Sequence, residues 1–176
     1  MELNELVMQA KKGSAEAFGR LYSFYYKEMY YYAFSRVRNE NDACDIVSEA
    51  VLDAFSSIKK LRKAENFKSW IFTILTRKIT KKYSEKQVDT LSIDDSESEL
   101  NEIPFNQDIT KIEADEILDT LSEKEREIFS LCYACGFTSE EISKITGTNP
   151  STVRSHFLRA KNKLKKLYSD SGINER

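Results

Sequence analysis

Arg154, Arg159, Lys161, Lys163, Lys165 and Lys166 lie in one stretch that contains no Asp or Glu. A solvated helix face ordinarily mixes charge signs, so a run of one sign points to a polyanion whose phosphates those cations neutralise. Ser151, Thr152, Arg154 and Ser155 come directly after Pro150, which suits the first turn of a helix. When such a helix is the second of a helix-turn-helix, its leading residues reach base edges in the DNA major groove while flanking cations hold the backbone. Arg154 is the candidate for a bidentate contact to guanine, because its planar fork matches the two major-groove acceptors. Ser155, His156 and Arg159 follow along the groove-facing side, with Lys161, Lys163 and Lys165 nearer the phosphates.

A second basic set comprises Lys59, Lys60, Arg62, Lys63, Lys68, Arg77, Lys78, Lys81 and Lys82, with Glu65 the one acid between Lys59 and Tyr83. The acids gather between Glu85 and Glu116, where only Lys86 and Lys111 oppose them. The net charge of -2 therefore averages over two basic surfaces and an acidic tether.

Other chemistries find less support. Cys132-Tyr-Ala-Cys135 has the spacing of a redox or zinc pair, but Cys44 and His156 fall in other helices and no strand pattern flanks it. The pair reads as small apolar residues in the helix that precedes Gly136. Asp94-Asp95 and Glu97-Ser-Glu99 lack the glycine turn of a calcium loop. His156 has no nucleophile at triad spacing, so hydrolase chemistry is not expected, nor are a metal, a cofactor or any enzymatic activity. Three cysteines make a disulfide framework improbable. Met1-Glu-Leu-Asn-Glu-Leu has no basic n-region before an apolar run, and no apolar stretch is long enough to span a bilayer. The expectation is a cytoplasmic protein without membrane insertion.

The elements that must position these groups are helices. Only five Gly and two Pro interrupt the 176 residues, and the apolar residues recur at helical spacing. Ala17, Phe18, Leu21, Tyr22, Tyr25, Tyr26, Met29, Tyr30, Ala33, Phe34 and Val37 keep one face of a long helix, in which Tyr30, Tyr31 and Tyr32 are expected to pack with solvated hydroxyls. Asn39-Glu-Asn-Asp42 breaks the pattern and supplies an N-cap for a second helix carrying Ile46, Val47, Ala50, Val51, Ala54, Phe55 and Ile58. A third runs from Phe67 through Trp70, Ile71, Ile74, Leu75 and Ile79. Ser122-x-x-Glu125 and Thr138-x-x-Glu141 are capping boxes, and Gly136 and Gly147 suit helix ends. The fold class expected is all-α: two small helical domains, residues 1–84 and 113–170, the second a helix-turn-helix, joined by a flexible acidic linker over 85–112.

The string Phe137-Thr-Ser-Glu-Glu-Ile-Ser-Lys-Ile-Thr-Gly147, with Ser151-Thr-Val-Arg-Ser155 and Arg159-Ala-Lys-Asn-Lys-Leu164, resembles the promoter-reading domain of extracytoplasmic-function (ECF) sigma factors. Leu6-Val-x-x-Ala10, Ala43-Cys-Asp-Ile-Val-x-Glu49 and Phe67-Lys-x-Trp-Ile-Phe-x-Ile74 are similar to the same family's N-terminal domain. The resemblance implies that Asp45, Ile46, Val47 and Glu49 dock on core RNA polymerase. It implies that Lys59, Lys60, Arg62 and Lys63, in the stretch leading to Trp70, flank a flipped base of the minus-10 element. Arg77, Lys78, Lys81 and Lys82 would track the adjacent backbone, and Ser151, Thr152, Arg154, Ser155, His156, Arg159 and Lys163 would read the minus-35 element. Cys44 and Lys78 depart from the family pattern, which favours an acid and an Asn there. The implied partners are core RNA polymerase, promoter DNA and an anti-sigma factor. The other function the sequence admits is a stand-alone helix-turn-helix regulator that binds DNA as a dimer.

Overall fold

A computed structural model describes residues 3–88 and 118–170. Among them the regular elements are all helical. Helix α1 (Leu3–Lys11) closes at Gly13, whose φ of +102° is open to glycine, and Ser14 then caps α2 (Ala15–Val37) by accepting from the Ala17 amide at 3.1 Å. Arg38 ends α2 in the left-handed region at φ 56°, a strained position for a residue with a Cβ. Its guanidinium sits over the Phe34 ring and pairs with Asp119 at 3.1 Å, contacts that hold the turn. Asn39 caps α3 (Glu40–Ser57) through the Asp42 amide, as its position after the break predicts. Two short 3-10 turns, Ile58–Lys60 and Ala64–Asn66, lead into α4 (Phe67–Val88). The helix therefore carries on through residues 85–88, where the sequence reading begins its linker, and Glu, Lys and Gln there are all good helix formers. The remainder of that linker lies outside the described residues.

Both capping boxes form. Ser122 accepts from the Glu125 amide while Glu125 accepts from the Ser122 amide at the start of α5 (Glu123–Phe129). Thr138 and Glu141 do the same at the start of α6 (Ser139–Thr146), which Gly147 closes at φ 72°. After α5 the chain widens into one π turn, Ser130–Ala134, before Cys135. Helix α7 (Pro150–Asp170) begins after Asn149, whose side chain accepts from the Ser151 amide at 3.0 Å. Phe129 stacks on Phe157, and Leu121, Ala160 and Leu164 complete the apolar contact between α5 and α7. Helices α6 and α7 with the glycine turn between them make the helix-turn-helix that the sequence leads one to expect.

Among the described residues, the two helical domains contribute to one buried cluster. Ile128, Leu131, Phe137, Ile142 and Val153 belong to the same buried cluster as Leu21, Tyr32, Phe72 and Leu75, with Phe72 and Phe137 edge to face at 5.0 Å. A polar seam runs beside this contact. Ser130 donates to the Ser35 hydroxyl at 2.8 Å, Arg36 to the Glu123 carbonyl at 2.7 Å, and Lys68 to the Cys135 carbonyl at 2.6 Å. Tyr32 corrects the expectation of a solvated hydroxyl: it is fully buried, 3.1 Å from Thr76 Oγ1 and 3.5 Å from Glu127 Oε1. Burial, reinforced by the Glu127 carboxylate, drives its pKa far above that of a free tyrosine. A buried hydroxyl without those partners would cost the fold its desolvation, so Thr76 and Glu127 are what allow Tyr32 to sit inside.

Candidate nucleic-acid and polymerase-binding surfaces

On α7, Ser151, Thr152, Arg154, Ser155 and Arg159 are exposed, whereas Val153 and Ala160 are buried against the domain core. The helix period thus turns the expected reading head outward. Arg154 Nη1 lies 3.3 Å from Glu140 Oε1 of α6, both side chains more than half exposed, a pair that DNA can displace at small cost. Ser151 donates to Asn149 Oδ1 at 2.8 Å and Ser155 to the Ser151 carbonyl at 3.0 Å, so both hydroxyls are engaged locally. His156 is half-buried with Nδ1 turned away from solvent and unpartnered, which does not fit the groove-facing place the sequence suggests.

Lys163 also differs from its expected role. Its ammonium lies 2.6 Å from Glu125 Oε2, the carboxylate that closes the first capping box and is 5% exposed. Burial pushes the Glu125 carboxyl up, but the Lys163 ammonium and the Ser122 amide outweigh it and hold the pKa below the ordinary value. The acid-free stretch of α7 from Arg154 to Lys166 thus draws acids from its neighbours, Glu125 from α5 and Glu140 from α6.

In the N-terminal domain, Lys59, Lys60, Arg62 and Lys63 are exposed around the first 3-10 turn, and Lys11 pins that turn by donating to the Leu61 carbonyl at 2.7 Å. Phe67 is fully buried against Phe18, Tyr25 and Trp70, so it fills the core beneath the basic turn. Arg77 and Lys81 are exposed on α4, beside a groove against α3 that Ser57 and Ile74 also line. Lys82 pairs with Asp42 at 3.3 Å, and Lys78 reaches Asp53 at 2.8 Å and Glu49 at 3.3 Å.

The docking set divides in two. Asp45 and Glu49 are exposed on α3, but Ile46 and Val47 are 3% and 1% exposed and belong to the core. Their part is to seat the helix, not to face a partner. Leu52, 66% exposed, and Asp53 extend the open face and were not singled out from the sequence. The signal was present: Asp45, Glu49 and Asp53 stand four apart, on one stripe of a helix.

Among the described residues no cluster of His, Cys, Asp or Glu could hold a metal ion, and no helix is long and apolar enough to cross a membrane. Cys132 and Cys135 are free thiols, and burial raises the Cys135 thiol well above its usual range.

Comparison with known proteins agrees with this geometry. Residues 21–88 match the family described as Sigma-70 region 2, and residues 111–164 match Sigma-70 region 4. The chain is 34% identical over 134 residues to the RNA polymerase sigma factor SigV of Bacillus subtilis, covering 76% of this chain and 80% of SigV. Its fold recurs in solved structures. CnrH in complex with the cytosolic domain of CnrY superposes with a TM-score of 0.71 at 20% identity over 96% of this chain and 97% of that one. The sigma factor RpoE of Bartonella quintana in complex with the anti-sigma factor NepR gives 0.72 at 22% identity over 88% and 98%.

Proposed function

The chain belongs to the extracytoplasmic-function sigma factors, which direct RNA polymerase core enzyme to promoters and assist their melting, and from that membership we propose how the work divides among its helices. Residues 1–84 dock on core polymerase and engage the minus-10 element, and residues 113–170 read the minus-35 element. The observation that carries the division is the opposite charge of two outward faces: acids Asp45, Glu49 and Asp53 on α3, and Arg154 and Arg159 on α7. Asp45 and Glu49 meet a basic surface of polymerase, with Leu52 as the apolar contact beside them. Lys59, Lys60, Arg62, Lys63, Arg77 and Lys81 follow the melted strand, which needs a positive path.

In this reading the protein lends recognition to the polymerase, catalyses nothing itself, needs no cofactor and works in the cytoplasm. An anti-sigma protein restrains it, a relation that the complex of the similarly folded RpoE with NepR supports.

Arg154→Ala tests the reading head. On the preferred promoter the substitution should cost about 1–3 kcal/mol and flatten preference at one position of the minus-35 element, measured as open-complex formation by holoenzyme on single-base variants. Holoenzyme is the proper reagent, since α7 meets its element while tethered through the rest of the assembly. A variant that keeps full discrimination would move the assignment to Ser155 or Arg159.

A further inference from the structure

Lys78 stands where the docking face of α3 meets the groove between α3 and α4, a groove that Asp53 lines from the α3 side. Its ammonium lies 2.8 Å from Asp53 Oδ2 and 3.3 Å from Glu49 Oε2, and the same residue lines the groove beside Arg77 and Lys81. The exposures are unequal. The Lys78 side chain is 21% exposed, while those of Glu49 and Asp53 are 62% and 55% exposed, so the carboxylates stay open to a second cation from outside. Asp45, Glu49 and Asp53 repel one another along the helix, and Lys78 relieves the last two. The hydrogen bond to Asp53 first, and that to Glu49, raise the Lys78 pKa against the effect of burial, so the paired side chain is a cation. Ser57, on the groove wall, donates to the Asp53 carbonyl and so competes for neither.

We propose that Lys78 is handed from one partner to the other: in the free protein it neutralises Glu49 and Asp53, and when a basic polymerase surface takes those carboxylates its ammonium swings into the α3–α4 groove to meet a promoter phosphate. The handover rests on the docking role given above to Glu49. Ion pairs this open to water are weak and screened, so an incoming guanidinium or ammonium displaces Lys78 readily. The four-carbon stem spans both positions without moving α4. Core docking thereby adds one positive charge to the DNA path, and by linkage promoter DNA strengthens core docking in the same measure. The free protein, with Lys78 neutralised, has the weaker pull on DNA.

Lysine acylation of the full-length protein, read by mass spectrometry, tests this with acetic anhydride as the probe. Labelling at Lys78 should rise severalfold when core polymerase is added, and fall again when promoter DNA is added. Labelling that stays constant or falls on core binding overturns the handover. In parallel, Lys78→Met holoenzyme should show a slope of log promoter affinity against log salt that is smaller by about 1. An unchanged slope would equally overturn it. Should the wild-type chain fail to assemble with core at all, the docking reading itself falls, whereas normal assembly with unmoved Lys78 labelling sinks the handover alone.

Discussion

Reversing charge at both Asp45 and Glu49, as D45K/E49K, is expected to abolish association with core polymerase while leaving helix content unchanged. Both side chains point out of α3, and the helix is anchored from its other side by Ile46, Val47, Ala50 and Ala54, all 3% exposed or less. The double variant therefore changes the face and leaves the apolar seat of α3 in place, with the exposed Glu49–Lys78 pair the one described contact to α4 that it removes. Opposing a basic partner with two lysines replaces attraction by repulsion, and each close interfacial charge pair lost costs about 2–5 kcal/mol, so affinity should fall a hundredfold or more. Pull-down with purified core reads the result, with circular dichroism as the control for folding. Core association at the wild-type level would show that the docking surface lies elsewhere.

Phe72→Ala should be the most destabilising single change in the chain's interior, at about 3–5 kcal/mol. Phe72 is fully buried and touches Tyr32 at 6.1 Å and Phe137 at 5.0 Å between ring centroids, so it closes the contact between the two helical domains. Removing the ring leaves a cavity walled by side chains from both domains, which neither can fill without shifting the seam of Ser35, Ser130, Arg36 and Lys68. Urea unfolding should show a lowered midpoint. A loss below about 1 kcal/mol would mean that the domains part freely at this contact and that Phe72 is not the keystone of a shared core.

What could be read in advance was local. Ser122 with Glu125, and Thr138 with Glu141, announce helix starts because the two partners are three residues apart and the hydrogen bonds close within one turn. Gly136 and Gly147 mark ends because the chain needs a left-handed residue there. The outward turn of Arg154 and Arg159 follows from the period that buries Val153 and Ala160.

What could not be read joins residues far apart in the chain. Lys163 meets Glu125 across 38 positions and Lys78 meets Glu49 across 29, and no run of charge along one segment foretells either pair. The solvated hydroxyl expected for Tyr32 was wrong for the same reason, since Thr76 and Glu127 come to it from α4 and α5. Ile46 and Val47 show the two kinds of inference in conflict. Their spacing puts them on the buried face of α3, whereas family resemblance groups them with the docking residues, and the periodicity describes their surroundings better. The shared core between domains also had no local mark, because each domain's apolar face looks complete until the other covers it.

Run-off transcription on a genomic promoter library, with purified core polymerase in the presence and absence of this protein, tests the account at its centre. Specific transcripts that appear only when the protein is added, and that Arg154→Ala and D45K/E49K each remove or blur, are the predicted outcome. Transcripts from core plus protein that are no more specific than those from core alone, on every promoter in the library, would contradict it.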